Sequence, residues 1–136
     1  HASTRAAPLF LSAVAAFALA LGMHVATAHT RGGHQGFNPG VYLRQPSGFT
    51  AGLYRNSCSA ASAHVGWTWQ TADQRWALTA GAVTGYPAAP LLPVLVPSVR
   101  IGLPAPGWDA RLTLIPKPPR HGAGAGLHLS LETTLP

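Results

Sequence analysis

The chain predicts an all-β fold: a small antiparallel meander, with a strongly curved sheet or closed barrel of about 6–8 strands, after an N-terminal signal peptide. Three observations lead there. Seven segments alternate apolar and polar residues with period two. Short clusters of Pro, Gly, Ser, Asn and Asp separate most of them. Glycines recur inside the alternating segments, at Gly52, Gly66, Gly81 and Gly85, where they permit sharp bends of a curved sheet.

Residues 1–28 read as a secretory leader. Arg5 precedes an unbroken run of apolar and small residues from Leu9 to Gly22, and Ala26-Thr27-Ala28 offers a small-x-small cleavage site. The run falls short of the ~20 residues of a membrane-spanning helix. Cleavage after Ala28 is expected, which places the protein outside the cytoplasm, in the periplasm or at the cell surface. Residues 29–40, rich in Gly and polar residues and without a period, form a flexible lead-in segment, and residues 41–136 form a single β domain.

Within that domain the expected strands follow in order. Val41–Gln45 is short. Phe49–Asn56 sets Phe49, Ala51 and Leu53 against Thr50, Gly52 and Tyr54. His64–Gln70 carries Val65, Trp67 and Trp69 on one face, and Arg75–Gly85 carries Trp76, Leu78, Ala80 and Ala82. Val96–Leu103, Arg111–Ile115 and Leu127–Thr133 complete the set, the last opposing Leu127, Leu129 and Leu131 to His128, Ser130 and Glu132. Such alternation marks half-buried strands, and Trp67 and Trp69 are expected to fill a small core. Pro46–Gly48, Thr71–Gln74 and Pro104–Gly107 are tight joints, so neighbours are antiparallel. Tyr86–Pro97, with four prolines, reads as an extended stiff connection, and Pro116–Gly126 as a second long one.

Composition limits the chemistry. The formal net charge is +6, and the acids are Asp73, Asp109 and Glu132 alone. Paired-carboxylate catalysis has little to draw on. A basic balance favours an anionic envelope component as partner, with a protein partner or membrane association as alternatives. The cations are scattered singly, which argues against nucleic acid. Cys58 is the one cysteine, so no internal disulfide forms. No motif asks for a cofactor; Gly122–Gly126 precedes a strand instead of opening a helix, unlike a phosphate loop.

Three stretches carry a resemblance: Gly52–Ser57 (GLYRNS), Thr79–Pro87 (TAGAVTGYP) and Pro90–Pro93 (PLLP). Together they resemble a set of small exported proteins from Gram-negative bacteria and their phages that share a YRNS…TGY…P pattern and a short C-terminal strand. The likeness spans residues 38–132 and implies a complete domain there. It carries over no catalytic residue.

The densest polar cluster is Tyr54-Arg55-Asn56-Ser57. One reading is an anion site, with the Arg55 fork completed by Asn and Ser groups. The other is a strand end whose Asn and Ser satisfy the following turn. On a strand Tyr54 and Asn56 share one face, and Arg55 shares the other with Leu53. Ser57 with His64 and Asp73 supplies the residue types of a hydrolytic triad, but no nucleophile-elbow pattern is present; Ser62, Cys58 and Asp109 are substitutes in the same scheme. His29, exposed as a new N-terminus by cleavage, is a candidate copper clamp with another His. The leading functional expectation is an exported, non-enzymatic barrel module that binds an anionic or envelope-associated partner through Tyr54, Arg55, Asn56 and Ser57. A minimal outer-membrane barrel and a small Ser/Cys-His hydrolase are the alternatives. Against the membrane barrel stand the seven strands counted, of which Arg75–Gly85 alone reaches spanning length.

Overall fold

A computed structural model describes residues 19–29, 36–56, 58–87, 89–116 and 125–135. Eight antiparallel strands close into a barrel in sequence order. They are β1 (Leu19–His29), β2 (Phe37–Arg44), β3 (Phe49–Arg55), β4 (Ala61–Gln70), β5 (Trp76–Val83), β6 (Leu92–Gly102), β7 (Trp108–Ile115) and β8 (Gly126–Leu135). All seven expected strands are present. The eighth, β1, falls in the stretch read as leader, and it closes the barrel by pairing with both β2 and β8. The expected boundary after Ala28 therefore lies inside a strand. Residues 1–18 lie outside the described residues.

β1 conceals its nature in the sequence. The ladder slips between His24 and Ala26, so Val25 is a bulge, and the alternation changes phase there. β2 begins at Phe37, inside the segment read as flexible. β6 begins at Leu92, so Pro93 and Pro97 belong to a strand and not to a stiff connection. Their half of β6 pairs with β5, whereas the β6–β7 ladder starts only at Ser98 opposite Thr113. A residue without an N–H is tolerated where one side of the strand has no ladder to complete.

The two ends of the barrel differ. Residues 45–48, 71–75 and 103–107 make short turns at one end, where β1 starts and β8 finishes. Gly48, Gln74 and Gly107 take positive φ there (121°, 60° and 80°), and each turn is closed by a backbone hydrogen bond, such as Gly48 N–H to Gln45 O at 2.9 Å. The connections at the other end, residues 30–36, 56–60, 84–91 and 116–125, are mostly longer.

Burial is inverted relative to a water-soluble domain. Among the described residues the buried apolar ones are Tyr42, Ala77, Val83 and Ala110. The buried polar ones include Thr27, Asn38, Thr50, Asn56, Ser62, Thr68, Ser98, Arg111, His128, Ser130 and Glu132. Trp67 and Trp69, expected in the core, are 42% and 55% exposed on the outer surface, with Val65 on the same face. The strands alternate with period two as expected, but the face they bury is the polar one. A barrel of eight strands is just wide enough for side chains to fill, and here they are Tyr, His, Arg, Glu and Thr.

Candidate functional site

The lumen holds the polar chemistry, in two tiers. Toward the turn end, Glu132 of β8 is the hub. Arg44 of β2 grips it bidentately, at 2.9 Å (Nη1 to Oε2) and 3.0 Å (Nη2 to Oε1). Arg111 of β7 donates from Nε to Oε2 at 3.1 Å and from Nη1 to Ser98 Oγ at 3.0 Å. The Tyr42 hydroxyl donates to Oε2 as well and lies 3.0 Å from Ser130 Oγ. The two guanidinium groups supply the opposite charge that a buried carboxylate requires.

Tyr42 reaches the hub because both cross-strand neighbours are glycines. It pairs with Gly22 on β1 and Gly52 on β3. A Cβ on Gly22 would sit 2.0 Å from the Tyr42 ring, so no larger residue fits beneath it.

Toward the loop end, three imidazoles form a string. Thr27 Oγ1 lies 2.7 Å from His128 Nδ1, His128 Nε2 lies 2.9 Å from His24 Nδ1, and His24 Nε2 lies 3.0 Å from His64 Nε2. Each link needs one donor and one acceptor, so in the neutral string all protons point the same way along it. His24 offers one nitrogen to each neighbour, and the rings do not converge on a point. Among the described residues no group of three or more His, Cys, Asp or Glu side chains is placed to hold a metal ion.

The sequence candidates are dispersed around this lumen. Tyr54 faces inward, its hydroxyl 2.7 Å from that of Tyr86. Burial, followed by the neighbouring Tyr54, pushes the Tyr86 phenol well above its ordinary range. Arg55 lies exposed on the outer surface at the loop end, away from Tyr54 and Asn56. Asn56 is fully buried and acts as a clamp: Oδ1 accepts from the Cys58 and Ala60 N–H groups at 2.8 and 3.1 Å, while Nδ2 donates to Ser62 Oγ and Gly85 O at 2.9 and 2.7 Å. Ser57 lies outside the described residues, and Cys58 is exposed.

No hydrolytic arrangement is assembled among the described residues. His64 contacts His24 inside the barrel, whereas Asp73 sits in an exposed turn past the end of β4, roughly 20 Å or more along the strand. Ser62 is engaged by Asn56, and Asp109 lies 3.7 Å from Arg100. His29 pairs with Gly126 in the β1–β8 ladder.

The residues that do cluster, His24, Tyr42, Arg44, Arg111, His128 and Glu132, are not the expected site residues. Their signal in the sequence is the polar half of each alternating segment, His128-Ser130-Glu132 above all. No known protein family and no curated protein matches the chain.

Proposed function

We propose that the protein is a minimal outer-membrane β-barrel with a filled polar lumen, and that its role is structural or presentational instead of enzymatic. One observation carries this reading: the barrel is apolar outside and polar inside. Leu21, Val41, Leu53, Val65, Leu95, Ile101, Leu114 and Leu127 are all large, apolar and exposed. In water such a surface drives association; in lipid it is the required exterior.

Two further features support it. The strands have 7–11 residues, which at about 3.3 Å per residue and about 40° tilt span roughly 18–28 Å, close to the ~25 Å apolar band of such barrels. Trp67, Trp69, Trp76 and Trp108 all lie on the exterior near the short turns, where an aromatic girdle at the interface belongs. Short turns then face the periplasm and longer loops the exterior, the arrangement common to outer-membrane barrels. An export leader compatible with this barrel ends before Leu19, because loss of β1 would leave β2 and β8 as open edges in hydrocarbon.

Expression in a Gram-negative host with fractionation, unheated gel migration and intact mass tests the reading. Recovery from the outer membrane, faster migration before boiling and a mature chain retaining residues 19–29 are expected. A soluble periplasmic product beginning at His29 would overturn it.

A further inference from the structure

We infer that the turn-end mouth of the barrel is a binding site for a phosphate-type oxyanion. A cavity of about 200 Å³ opens there, lined in part by Arg44, Arg100, Arg111, Gln45, Gln70 and Gln74. The other lining charges are Asp109 and Glu132, so three guanidinium groups face two carboxylates.

The distribution of hydrogen bonds leaves a cationic surplus. Arg100 and Arg111 are directly opposite each other on β6 and β7, a like-charge pairing that costs stability unless an anion lies near. Glu132 does not serve both. Its Oε2 already accepts from Arg44, Arg111 and Tyr42, and its Oε1 from Arg44. Arg100 donates from Nη2 to the Asp73 carbonyl at 3.0 Å, while its Nη1 is 3.7 Å from Asp109, beyond hydrogen-bond range, in a pair about one-third exposed. Arg111, only 4% exposed, uses Nε and Nη1 and leaves a buried Nη2 without a hydrogen-bond partner. A buried guanidinium donor left unmade is costly. Three guanidinium groups and three side-chain amides therefore line one polar cavity, and Arg111 among them keeps one donor unmade. A tetrahedral oxyanion matches this set: it accepts from planar Arg forks and from amide N–H groups together. The chemistry is shared by free phosphate and by a phospholipid headgroup. The site needs only the closed barrel, so it stands or falls separately from the membrane reading.

The test is equilibrium dialysis of the folded full chain against labelled inorganic phosphate in a phosphate-free maltoside detergent, with a parallel titration of short-chain phosphatidate. Arg111→Lys keeps the charge but removes Nη2. Arg100→Gln lies outside the Glu132 cluster and is the control should Arg111→Lys fail to fold, as judged by unheated gel migration. Saturable binding that weakens about tenfold or more in each folded variant, the loss expected for one charge-assisted hydrogen bond, supports the site. Binding of inorganic phosphate identifies a free anion; binding of phosphatidate alone identifies a headgroup. Saturation by neither, or affinity unchanged in the folded variants, overturns the proposal.

Discussion

The outer and inner surfaces of this barrel are made by the same strands and differ in everything except period. Outside, Val65, Trp67 and Trp69 follow one another along β4, each about half exposed. Inside, Ser62, His64 and Thr68 on the same strand are each bonded to a named neighbour: Asn56, His24, and Thr50 with Thr79. The outer face tolerates any apolar residue of suitable size. The inner face is specified atom by atom, because a polar group away from water must find a partner. Specificity in this fold therefore resides in the lumen, and affinity for the surroundings in the exterior.

The largest expected effect falls on the lumen hub. Glu132→Ala leaves Arg44 and Arg111 as unpaired buried cations and should destabilise the barrel by about 3–5 kcal/mol. A denaturant midpoint close to that of the unaltered chain would show that the hub is not a core. Next comes the exterior. Val65→Arg, 48% exposed near the middle of β4, should cost about 2–4 kcal/mol in vesicles if the face meets hydrocarbon. In a water-soluble barrel the same change would be harmless, so unaltered stability in vesicles would sink the lipid assignment.

A smaller effect is expected at the loop end. Asn56→Ala leaves the Cys58 and Ala60 N–H groups and Gly85 O without their present partner, at about 1–3 kcal/mol for each group that stays dry. Limited proteolysis should then cut within residues 56–60 or 84–91 sooner; an unchanged pattern would mean the clamp is redundant. The smallest belongs to Asp73. The Thr71 hydroxyl, then the Arg75 backbone N–H, hold its carboxyl below the usual range. Its contribution is therefore present above the ordinary carboxylate pKa and lost as pH falls through the lowered one. Asp73→Asn should shift the urea midpoint slightly at pH 7 and not at all once both states are protonated. A shift that persisted in strong acid would assign the effect to something other than charge.

The seven segments with clean alternation were legible as strands because period two survives in any solvent. Their turns were legible too, since Gly48 and Gly107 sit where φ must be positive. β1 was not. Its apolar residues continue the Leu9–Gly22 run, a bulge at Val25 breaks its phase, and its inward polar residues, His24 and Thr27, looked like interruptions of a leader. The clusters were legible only in part. Tyr54 and Asn56 share a face as expected, and Arg55 takes the other, but the partners of that face come from strands far away in sequence. Thr27 meets His128 across 101 positions, and Tyr42 meets Ser130 across 88.

By itself the sequence determined period, turn positions, net charge and the glycine gaps that let a sheet curl, because each is a property of local chain chemistry. Which face points inward was a tertiary outcome. Alternation has no sign until the barrel closes, and closure here turns His24, Tyr42, Arg111 and Glu132 toward one another while leaving the leucines and tryptophans outside.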